Sequence, residues 1–76
     1  MNYIQIRDEL INNYGKRIYH FKDKDIDTGE TIHFVEIVNQ ITGIKEFVSE
    51  GYSLDVIAED MVLFKDYLDR KLDYLC

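Results

Sequence analysis

Three carboxylates at alternate positions, Asp23, Asp25 and Asp27 in the stretch DKDIDTGE, make the densest set of metal-ligand types in this chain. A calcium loop of the EF-hand kind needs acids at positions 1, 3 and 5, glycine at 6 and a bidentate glutamate at 12. Here the glycine comes one residue late, at Gly29, and position 12 is Phe34. The stretch therefore reads as a hairpin turn made of ordinary turn formers. Transition metals fare no better: His20 and His33 fall on different predicted strands, and the single cysteine, Cys76, is the last residue, so no zinc-ligand spacing exists. A hairpin turning at Asp27-Thr28 is expected to place His20 nearer Glu36 than His33.

Nucleophilic chemistry needs an activated side chain in a preorganised pocket. Ser49 and Ser53 bracket the last strand and the second helix, where capping accounts for them. The four glycines are singletons, so no phosphate cradle is present. A domain this small is also expected to lack room for a closed pocket of about 300 Å³. The residues imply a non-enzyme without cofactor or metal.

The chain has 76 residues, enough for one domain, 1–76, with a thin stability margin. Its 46% apolar content is that of a globular protein. A lone thiol and the lack of a leader-like apolar run point to a soluble, cytoplasmic protein with no membrane segment. Fifteen acids against nine Lys and Arg give a net charge of −6, which argues against direct nucleic-acid binding and favours basic partners or plain solubility.

Positioning these groups falls to five elements. Tyr3 to Tyr14 carries Tyr3, Ile6, Leu10 and Tyr14 at helical spacing, with Ile4 and Ile11 widening the stripe. Asn2 suits its start and Gly15 its left-handed end, although NYIQI also admits a short strand. KRIYHFK, ETIHFVEIVN and GIKEFVSE change to period two and read as strands. Tyr19 and Phe21 oppose Ile18 and His20; Ile32, Phe34 and Val38 oppose Val35 and Ile37; Ile44 and Val48 oppose Phe47. Thr-Gly recurs fourteen residues apart, at Thr28-Gly29 and Thr42-Gly43, as shared turn chemistry joining a three-stranded antiparallel meander.

A second helix, predicted over Leu54 to Leu75, begins after the N-cap candidate Ser53. Leu54, Ile57, Met61, Phe64, Leu68, Leu72 and Leu75 form the face meant for the sheet. Asp55, Glu59, Asp66, Asp69 and Asp73 line the opposite face. Val56, Leu63, Tyr67 and Tyr74 make a second apolar stripe about 120° from the first. Burial beneath the first helix and contact with a second subunit or partner both remain open for it. SLDVIAED begins like a helix-turn-helix, but the turn glycine expected four residues after Ala58 is Val62.

The fold class is thus α+β, in the order α-β-β-β-α. That order, with MNYIQIRDELINN, the strand pair TIHFVEIVNQITGIKEFVSE and the acidic second helix, resembles the small acidic anti-CRISPR proteins encoded by phages of Gram-positive bacteria. The resemblance lies in element order and charge, and it carries no residue role across. It implies an inhibitor whose acidic loop and helix faces mimic DNA phosphates in the groove of a nuclease. Double-stranded RNA-binding domains share the order but need a basic start to the second helix, and SLDVIAED is acidic.

The expected function is non-enzymatic inhibition or regulation by protein binding, the partner being a basic nucleic-acid-binding enzyme. The expected contact residues are Asp23, Asp25, Asp27 and Glu30 at the turn with Asp55, Glu59, Asp66, Asp69 and Asp73 on the helix. Helix carboxylates repeating at about 6–10 Å approach the spacing of phosphates. The competing expectation is a homo-oligomerising module joined through Val56, Leu63, Tyr67 and Tyr74.

Overall fold

A computed structural model describes residues 1–75, with side chains described through Lys71. The order is α1 (Tyr3–Tyr14), β1 (Lys16–Lys24), β2 (Thr31–Asn39), β3 (Lys45–Gly51) and α2 (Leu54–Leu75). The α+β class and the boundaries of both helices agree with the sequence reading. The three strands form one antiparallel sheet in the order β1-β2-β3. Both helices lie on the same face of it, α1 over β1 and α2 over β3, and they touch each other.

Local chemistry explains each boundary. The Asn2 side chain accepts from the Gln5 backbone, and the Gln5 side chain accepts from the Asn2 backbone, closing a capping box on α1. Gly15 ends the helix at φ 64°, where its N–H donates to the Leu10 carbonyl. Ser53 Oγ accepts from the N–H groups of Asp55 and Val56 and caps α2.

The two turns are the same device used twice. In the first, Gly29 N–H donates to the Asp25 carbonyl, Asp25 N–H to the Glu30 carbonyl, Asp27 N–H to the Asp25 carboxylate, and Glu30 N–H to Thr28 Oγ. In the second, Gly43 N–H donates to the Asn39 carbonyl, Asn39 N–H to the Ile44 carbonyl, Ile41 N–H to the Asn39 side chain, and Ile44 N–H to Thr42 Oγ. Both glycines sit at positive φ, 74° and 73°. The Thr-Gly echo is legible in the sequence, whereas the Asx residue that opens each turn, Asp25 or Asn39, shows its part only through these hydrogen bonds.

Tyr3, Ile6 and Leu10 from α1, Val35 and Ile37 from β2, and Ile57, Ala58 and Met61 from α2 form the buried core. Leu54, Phe64 and Leu68 are only partly covered, and Leu72 and Leu75 lie outside the described side chains. Ile4 and Ile11 stay exposed, so the α1 stripe is narrower than predicted. The reason is geometric: α1 has the sheet on one side and α2 on the next, and no described residue covers its other flanks.

One register shift has a visible purpose. Ile37 faces Phe47 while Val38 faces Lys45, leaving Glu46 as the extra residue of a bulge. Regular alternation would point Glu46 to the helix-free face with Val48. The bulge lets it reach Lys16, whose buried amine it meets at 2.5 Å. A buried ammonium without a partner would cost several kcal/mol.

Candidate functional site

The acids expected at the turn and on α2 divide into tied and free groups. Asp25 is tied: besides closing its turn, its carboxylate accepts from the Tyr52 hydroxyl at 2.6 Å. The Tyr52 hydroxyl, then the backbone N–H of Asp27, hold the Asp25 carboxyl below its usual range. The same bond, with the Asp25, Glu30 and Glu50 charges nearby, raises the Tyr52 phenol. This hydrogen bond spans 27 residues and fastens the β1–β2 turn to the corner where β3 gives way to α2. Asp23, Asp27, Glu30, Glu50 and Asp55 are exposed around that corner.

Asp69 departs from the outward face expected for it. It is half-buried, accepts from the Tyr14 hydroxyl of α1, and pairs with Lys65 Nζ at 3.0 Å. Lys65 also lies over the Tyr14 ring at 5.9 Å. The hydroxyl of Tyr14, then Lys65, depresses the Asp69 carboxyl, and the shared bond raises the Tyr14 phenol. This group is a clamp between the helices. Asp55, Glu59 and Asp66 point to solvent, and among the described residues none of them enters a salt bridge. Asp73 and Tyr74 lie outside the described side chains.

The second stripe on α2 is not covered by α1: Val56, Leu63 and Tyr67 are 53%, 64% and 52% exposed. Contacts around the helix explain why. Lys65 and Asp69 face Tyr14 of α1, whereas Asp60 accepts from Ser49 and Phe64 packs at a tilt against Phe47, both on β3. At about 100° per residue the stripe continues past Asp60 and Phe64, away from α1 and beyond the free edge of β3.

The histidine expectation requires correction. The register sets His20 opposite Val35 and Tyr19 opposite Glu36, so His20 and Glu36 lie on different faces. His20 instead meets His33 diagonally across the strands, Nε2 to Nδ1 at 2.9 Å, with the rings stacked and Tyr3 of α1 against His20. Burial, then His33, then Lys22 lower the His20 pKa, because a second positive charge here has little water and poor company. Two residues on one face of adjacent strands are near neighbours even one pair out of register. Among the described residues no group of three or more His, Cys, Asp or Glu side chains is arranged to hold a metal.

A half-open groove of about 370 Å³ lies where α1 ends, lined by Asn13, Tyr14, Lys16, Asn39, Glu46, Leu68 and Lys71. It is open to solvent, so it is not a closed pocket of the kind that nucleophilic chemistry needs. Its chemistry is largely self-satisfied: Lys16 is committed to Glu46 and Tyr14 to Asp69. No helix among the described residues is long and apolar enough to cross a membrane.

Comparison with known protein families, with characterised proteins and with solved structures finds no match for this chain.

Proposed function

We propose that this chain is a non-enzymatic binding protein that presents its free carboxylates to a basic protein surface. Its specific form is a DNA-mimic inhibitor of a nucleic-acid-binding enzyme, the phage anti-CRISPR resemblance naming an RNA-guided nuclease as the class to test. The observation that carries the reading is the Tyr52–Asp25 hydrogen bond. It draws the loop acids and the start of α2 to one end of the molecule, where Asp27, Glu30, Asp55 and Glu59 stand exposed. Carboxylates held by a fixed turn and a capped helix lose little freedom on binding, which favours affinity. A cluster of one sign also steers a basic groove toward it over distances near the Debye length.

The test measures binding of a Cas9-type nuclease to a labelled DNA duplex as the protein is added. Competition is expected, and it should weaken at least tenfold between about 50 and 200 mM salt because several ion pairs form at once. The quadruple variant Asp27→Lys, Glu30→Lys, Asp55→Lys, Glu59→Lys should lose competition while keeping its fold. Undiminished competition by that variant would show that the acidic end is not the contact surface.

A further inference from the structure

The sheet has two faces, and the helices cover only one. On the other, Tyr19 and Phe21 from β1 stack at 6.5 Å between centroids, beside Ile32, Phe34 and Val38 from β2 and Val48 from β3. Phe21 and Val48 are 50% and 58% exposed. An antiparallel sheet with a solvated face alternates apolar-in and polar-out, whereas this one is apolar on both sides. Such a face calls for a second layer.

The charges on the same face indicate what that layer is. The strand register puts Arg17, Val38 and Lys45 in one row at one end, and Asp23 and Ile32 in a row at the other, with Glu50 beside Phe34. Basic residues thus occupy one end and acids the opposite end. Glu36, in between, is paired with Lys45 at 2.9 Å. The face is close to neutral in a chain of net charge −6. Lys22 and Lys24 belong to the helix-covered side, by alternation from Phe21 and Asp23.

We propose that this face is where two copies of the chain associate, with the two-fold axis in the sheet plane and across the strands. That axis lays β1 over β1 in opposite directions. Arg17 of each copy then lies over Asp23 of the other, Lys45 over the end that carries Glu50, and the Tyr19–Phe21 pair over its own equivalent. The other in-plane axis, along the strands, brings β1 over β3 and sets Arg17 against Lys45, which like charge disfavours. A nucleic-acid ligand stacked on these aromatics would meet too little positive charge to hold its phosphates.

Three strands about 4.8 Å apart and roughly seven residues long bury on the order of 600 Å² per copy, somewhat below the ~800 Å² of a standard interface. So small a contact makes a weak dimer, with a Kd on the order of 100 μM. The acidic end with Asp27, Glu30, Asp55 and Glu59 lies outside the contact, so this inference and the proposed inhibitory role stand or fall separately.

Sedimentation equilibrium from about 5 to 500 μM, at roughly 150 mM salt to screen the net charge, tests it. A mass rising toward twice that of the monomer is expected at the upper concentrations. Arg17→Glu should weaken the dimer at least tenfold, and Arg17→Glu with Asp23→Arg should restore it to within about threefold by reversing both ends of the pair. Phe21→Glu should leave a monomer, with Phe21→Thr as the second variant should the first fail to fold. A monomer throughout the wild-type range overturns the proposal. So does a dimer that survives Phe21→Glu but is lost in Leu63→Glu, which would assign the contact to the α2 stripe. A double charge reversal no better than Arg17→Glu alone overturns the stated two-fold.

Discussion

Met61 and Leu63 are two residues apart on α2, similar in size and equally good helix formers, yet the structure assigns them opposite consequences. Met61 is fully buried in the core with Ile57 and Ala58, while Leu63 is 64% exposed on the second stripe. Replacing a buried methionine by alanine costs about 2–5 kcal/mol from lost transfer energy and the cavity left behind. The gain in helix propensity offsets only a few tenths of that. A 76-residue domain has roughly 4–11 kcal/mol in total, so Met61→Ala removes about a fifth of it or more. With a urea slope near 1 kcal/mol per molar, the midpoint should fall by about 2–5 M. Leu63→Ala should move it by less than about 0.5 M, because its neighbourhood is largely water and alanine favours the helix. Urea titration followed by far-UV circular dichroism at about 5 μM, where the proposed dimer is dissociated, reads both. Equal shifts for the two variants would refute the placement of α2, and with it the claim that α1 leaves the second stripe bare.

Two further outcomes follow from local geometry. His20 has its pKa lowered in the folded state, so the unfolded chain binds more protons between the folded value and about 6.5. Its contribution to stability is therefore intact above about pH 6.5 and declines as pH falls below it; His20→Gln should flatten that part of a thermal-melt series against pH, and an unchanged slope would contradict the account. Tyr3 packs on His20 from α1 and Lys22 and His33 face it from the sheet, so no carboxylate among the described residues stabilises a second charge there. Gly15→Ala should cost about 1–2 kcal/mol, since a left-handed backbone is strained for a residue with Cβ, while no atom lies within 4 Å of an added Cβ. Gly15→Asn should recover part of the loss in the same urea assay; an effect of zero would mean that α1 ends differently.

The sequence by itself determined what depends on neighbours along the chain. Helix periodicity, the Asn2 and Ser53 caps, the Gly15 stop and the Thr-Gly turns all act within a few residues, so their signals are local and were readable. Alternation likewise sorted the faces of β1, β2 and the part of β3 from Phe47 on, because a side chain's face is set by its parity. It failed before the bulge at Glu46, so that Ile44, outside β3, does not share a strand face with Val48. Exclusion of an EF-hand loop followed from the position of one glycine. The tertiary structure decided everything that joins distant residues. Tyr52 reaching Asp25, Tyr14 taking Asp69 out of the acidic face, and Lys16 meeting Glu46 through a bulge each bring together residues 27 to 55 positions apart. Periodicity could say that α2 is apolar on two sides, but not which side α1 would occupy. That choice depends on two helices sharing one sheet face, α1 over β1 and α2 over β3, and it leaves the stripe of Val56, Leu63 and Tyr67 and the face of Phe21 and Val48 in water.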